Sequence, residues 1–81
     1  VAERIGVYFG AFNPPHEGHF ALAASARRTL QLGSVVMVPN VDPPGKAQTV
    51  SMRHRVAMIT EHPSARSGMV RAIRNVGSMV G

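Results

Sequence analysis

Cysteine and tryptophan are absent from this chain of 81 residues, and acidic side chains are scarce, four against nine lysines and arginines. Without cysteine there is neither a disulfide framework nor a thiolate metal site, so stability must come from packing, and a reducing, cytoplasmic setting is expected. No apolar run approaches the roughly 18 residues of a membrane span and no charged-then-apolar leader is present, so neither a membrane protein nor a secreted one is expected. Aromatic residues make up only 5% and do not interleave with the basic ones, which ranks a nucleic-acid-binding module last among the possible readings. A chain this short is one small domain at most, burying only a little more than half of its unfolded surface. Internal repeats and heptads are also missing. The opening on Val1 fits processing, an alternative start or a cut fragment.

The scarcity of acids leaves a net charge of +5 that is unevenly placed. Residues 1–42 balance Glu3, Glu17 and Asp42 against Arg4, Arg27 and Arg28, whereas Lys46, Arg53, Arg55, Arg66, Arg71 and Arg74 face only Glu61. A basic half suits an anionic ligand, and equally a solvated surface or a face that pairs with acidic groups elsewhere.

What is present in strength is a strand, a turn and a helix start in immediate succession. Ile5 to Phe9 is an apolar run of strand formers, as in a strand covered on both faces. Pro14-Pro15 forbids helix through Asn13 and Pro14, so a helix begins near His16 to Gly18 with both His16 and His19 in its first turn. Three residues apart, the two imidazoles leave the same end of the helix, where free N–H groups and the positive pole of the dipole favour phosphate. Leu22, Ala26 and Leu30 recur at helical spacing up to Leu32, with Gly33 as the stop, and Val35 to Val38 is a second strand ended by Pro39. These parts make a β-α-β unit with a right-handed crossover and parallel strands, which brings the Gly10–His19 turn and the Pro39–Lys46 loop to one sheet edge. A second helix is expected from Met52 to Thr60, ended by Glu61-His62-Pro63, with Val56, Ile59 and Met52 as the residues that can face the sheet. Met69 to Ile73 is a candidate third strand.

The stretch FGAFNPPHEGH, residues 9–19, resembles the signature of the HxGH nucleotidyltransferase superfamily. Within it, Pro39 to Lys46 and the helix from Ser51 to Met58 are similar to the bacterial nicotinate-nucleotide adenylyltransferase family. The resemblance spans roughly residues 5 to 60 and implies an α/β, Rossmann-like parallel-sheet half-domain, with residues 1–81 the N-terminal part of a truncated domain. It implies transfer of AMP from ATP to nicotinate mononucleotide with Mg2+. Phosphopantetheine adenylyltransferase or another nucleotidyltransferase is the alternative, and a non-catalytic phosphate-binding fragment is the alternative of a different class.

Nucleotidyl transfer puts charge on the α-phosphate oxygens in the transition state, so positioned donors speed it without a covalent intermediate. His19 is expected at the reacting α-phosphate and His16 at the neighbouring phosphates, the assignment that the resemblance also implies. Gly10, Ala11 and Phe12 are expected to approach the nucleotide through backbone N–H groups, Gly18 to leave the first turn open, and Lys46 to reach over the phosphates. Phe12 and Phe20 are expected to pack, and His54 and His62 to lie on the surface. No third ligand joins His16 and His19, so no protein metal site is expected. The pattern departs from the family at Ala11, which offers no hydroxyl, and at Gly45, where a histidine is usual.

Overall fold

Parallel pairing of two apolar strands around one helix accounts for most of the architecture. The computed structural model describes residues 3–41 and 50–74. Along the chain lie β1 (Ile5–Gly10), α1 (Glu17–Thr29), β2 (Ser34–Pro39), α2 (Met52–Glu61), α3 (Pro63–Arg66) and β3 (Val70–Ala72). The sheet is ordered β1-β2-β3 with both pairs parallel. The third strand expected from Met69 to Ile73 is therefore present, shorter by a residue at each end.

Register decides which residues meet the helices, because laterally paired residues share a face. Gly6, Val35 and Val70 align across the sheet, as do Tyr8, Met37 and Ala72. These rows carry the core, in which Val35, Met37 and Val70 pack with Phe12, Phe20, Ala23 and Ile59. Both crossovers proceed in the same direction across the sheet, so right-handedness puts α1 and α2 on this one face.

The other face carries Val7, Val36 and Arg71 in one row and Phe9 beside Val38 in the next. On this face β2 is buried, with Val36 and Val38 each 8% exposed, whereas Ile5, Val7 and Phe9 of β1 are 49%, 58% and 62% exposed. The expectation that β1 is covered on both faces is thus corrected. The apolar run does form a strand, but helices from consecutive same-direction crossovers fill only one side.

The apolar stripe of α1 is also corrected. Phe20 and Ala23 are its buried residues, while Leu22 and Leu30 are exposed. Since β1 is the edge strand, the stripe through Leu22, Ala26 and Leu30 overhangs it and lines an open apolar groove with Gly6 and Tyr8. The helix stops at Thr29 rather than Leu32. Gln31 takes the left-handed conformation at φ 54, and the N–H groups of Leu32 and Gln31 return to the carbonyls of Arg27 and Arg28. That is a Schellman ending with glutamine in the position usually given to glycine.

Candidate active site

The paired ends of β1 and β2, Gly10 beside Pro39, put the turn from Ala11 to His16 at the C-terminal edge of the sheet. This is the edge at which open α/β sheets bind ligands. Phe12 anchors the turn. It is 1% exposed with φ 47, and its ring meets Tyr8 and His19 edge-on at centroid distances of 5.1 and 4.9 Å. A Cβ at Gly10 would come within 2.9 Å of the Phe12 ring. The Phe12 ring thus takes the space that a side chain at position 10 would need.

Two hydrogen bonds orient the backbone of the turn. The Gly10 carbonyl accepts from the Asn40 N–H at 2.7 Å, and the Ala11 carbonyl accepts from Arg55 Nη1 at 2.8 Å. In a trans peptide the carbonyl and the next N–H point in opposite directions. The Ala11 N–H is accordingly aimed away from β2, and the Phe12 N–H away from Arg55.

The histidines cap the helix reciprocally. His16 is the N-cap of α1, with extended backbone at φ −138 and ψ 176. Its Nδ1 accepts from the Gly18 N–H at 3.0 Å, and the His16 N–H donates to His19 Nδ1 at 2.9 Å. The rings stack with centroids 3.8 Å apart. A neutral imidazole whose Nδ1 accepts must carry its proton on Nε2. In the neutral form both rings thus keep an Nε2–H donor that the capping bonds do not use. Gly18 makes this possible, since a Cβ there would lie 2.8 Å from His16 Cε1. A side chain at position 18 would therefore collide with the His16 ring.

His19 is half-buried, and this burial, with the neighbouring His16 a smaller cause, lowers its pKa below the ordinary 6.5. At neutral pH it is an uncharged donor. An anion arriving at Nε2 would favour the imidazolium and oppose that shift.

Arg55, from α2, escaped the sequence reading. It is 2% exposed, and Nη1 donates both to Ala11 and to the Asn40 carbonyl at 3.1 Å, tying together the loops that follow β1 and β2. One turn before buried Ile59, it lies on the apolar face of α2, and that spacing was the available signal. His62, expected on the surface, instead packs flat on Phe20 with ring centroids 3.6 Å apart. His54 is exposed, as expected. Lys46 lies outside the described residues. Among the described residues no group of three or more His, Cys, Asp or Glu could hold a metal ion, and no helix is long and apolar enough to cross a membrane.

A parallel sheet whose first turn ends in a histidine-capped helix start defines a Rossmann-like α/β protein. The cytidylyltransferase-like family model matches residues 7–76, and the chain belongs to that family. It is 36% identical over 75 residues to the probable nicotinate-nucleotide adenylyltransferase of Gloeobacter violaceus, covering 90% of this chain and 36% of that one. It is 40% identical over 66 residues to the protein so named in Oceanobacillus iheyensis, covering 75% and 35%. A third, from Albidiferax ferrireducens, is 46% identical over 57 residues, covering 69% and 29%. The chain spans about a third of the length of these curated relatives.

Proposed function

We propose that the protein carrying this chain transfers AMP from ATP to nicotinate mononucleotide, in the cytoplasm, and that this chain supplies the phosphate side of the site. The observation that carries the reading is the His16–His19 pair, cross-capped through Nδ1 so that both Nε2–H donors are free at the start of a 13-residue helix. The names of the similar proteins supply the acceptor.

In the reaction a phosphate oxygen of nicotinate mononucleotide attacks the α-phosphorus of ATP. The bond from that phosphorus to the oxygen bridging to the β-phosphate breaks, and pyrophosphate leaves. Negative charge builds on the α-phosphate oxygens and on the departing bridge oxygen. His19 donates from Nε2 to the α-phosphate and His16 to the neighbouring phosphates, with the N–H groups of Ala11 and Phe12 and the first turn of α1 as further donors. Because the rings are already held by the backbone, no reorganisation is needed when charge appears. Mg2+ would come with the ATP phosphates, a hard cation that takes oxygen ligands from its nucleotide and would offset charge there. Lys46 remains the proposed contact over the phosphates.

The test is pyrophosphate release by the full-length protein with ATP, nicotinate mononucleotide and Mg2+. His19→Ala should lower kcat by about a hundredfold or more while changing the KM for ATP less, the pattern of a contact made mainly in the transition state. His16→Ala should weaken ATP binding as well. Equal kcat for wild type and His19→Ala would end the assignment.

A further inference from the structure

Glu17 occupies the first position of α1, directly after the His16 cap. A carboxylate there is drawn to the same free N–H groups and the same dipole that would hold a phosphate, so left to itself it competes with an anionic ligand. In the structure it is turned elsewhere. Its two oxygens lie 3.2 and 3.1 Å from Nε2 of His62, at the junction of α2 and α3.

His62 is held for this contact from three sides. Its N–H donates to the Ile59 carbonyl, closing α2, and its Nδ1 accepts from the Ser64 N–H at 3.1 Å, capping α3. With Nδ1 accepting, the neutral ring carries its proton on Nε2 and donates it to Glu17. The ring also lies parallel to Phe20, with an interplanar angle of 4°. Phe20 follows Glu17 by three residues and shares its side of α1, whereas His19 stands about 200° around the axis from Glu17.

We propose that His62 is a positioning residue that parks the Glu17 carboxylate on the α3 side of α1, keeping the helix start open to polyphosphate. It sets the affinity of the site without touching the ligand. The inference rests on the reading of the His16–His19 turn as a phosphate site.

Rescue separates this role from a merely structural one. His62→Asn retains a good N-cap for α3 but is too short to reach Glu17 and cannot stack on Phe20. In the full-length protein, with inorganic pyrophosphate titrated by calorimetry, it should weaken binding about threefold to tenfold as the freed carboxylate turns to the helix start. Removing that charge in the same background, as His62→Asn with Glu17→Gln, should restore binding to within about twofold of wild type. Glu17→Asp, a change at an exposed position with no bearing on the α3 cap, keeps the charge but shortens its reach and should weaken binding on its own, where Glu17→Gln does not.

A double variant as weak as His62→Asn alone, beside a tight wild type, overturns the inference and leaves the phosphate site standing. Glu17→Asp binding as tightly as wild type overturns it too. A wild type with no affinity for pyrophosphate overturns the functional reading and this one together.

Discussion

At the scale of single residues, each imidazole of the turn gives Nδ1 to the backbone and leaves Nε2 for the proposed phosphate contact. Acid should expose this division. The folded-state pKa of His19 lies below the unfolded 6.5, so the unfolded chain binds more protons in the interval beneath it. The stability due to neutral His19 is therefore fully present above 6.5 and is lost as pH falls through the lowered value. Protonation of Nδ1 would also turn an acceptor into a donor and break the bond from the His16 N–H. The denaturation midpoint should fall between about pH 7.5 and pH 5.5, with a shallower fall in His19→Gln; a wild-type midpoint that rises on acidification would contradict this. Gly18→Ala separates folding from binding at the same turn. Alanine favours helix by up to about 1 kcal/mol, yet its Cβ must displace the His16 ring. Stability should hold or rise slightly while pyrophosphate affinity drops, and an unchanged affinity would show that the ring's place is unimportant.

At the scale of elements, the β-α-β unit and the position of the histidine turn were legible because they rest on local signals, namely apolar runs, Pro14-Pro15 and a three-residue spacing. What was not legible depends on neighbours. The stripe of Leu22, Ala26 and Leu30 has the right period for a core, and only the absence of a described strand beyond β1 leaves it overhanging. The space at Gly10 belongs to Phe12, which lies two residues away but reaches it only because the backbone turns to φ 47. Arg55 looks like one more exposed cation in a basic half until α2 is seated over β2 and β3. Its replacement measures how far the two strand-end loops depend on α2. Arg55→Leu leaves the carbonyls of Ala11 and Asn40 without that donor and should cost about 2–4 kcal/mol in urea unfolding. Arg55→Lys, with a single ammonium in place of a planar fork, should recover only part of the loss. A cost within experimental error for Arg55→Leu would show that the loops hold themselves.

At the scale of the whole molecule, the second face of the sheet is exposed along β1, at Ile5, Val7 and Phe9, and all-parallel sheets occur almost only with both faces covered. The relatives are about three times as long as this chain, so a polypeptide of their length has ample residues to lie over Ile5, Val7 and Phe9. The isolated residues 1–81 should not turn over ATP and nicotinate mononucleotide, since nothing on the far side of the crevice would hold the acceptor in line, and positioning alone accounts for about 7–11 kcal/mol of such barriers. Release of pyrophosphate by that piece near 1 per second, an ordinary enzymatic rate, would refute this. The exposed part of this face gives a sharper contrast, because one pair of substitutions should be nearly neutral in one context and costly in the other. Val7→Thr with Phe9→Thr places a strand-forming residue at each position but removes apolar surface. In the isolated piece, where that surface meets water, sedimentation should show less self-association and unfolding should shift little. In the full-length protein the same pair would leave buried space and unpaired hydroxyls, costing about 3–5 kcal/mol. A full-length variant as stable as its parent would mean that this face stays open to solvent in the complete molecule.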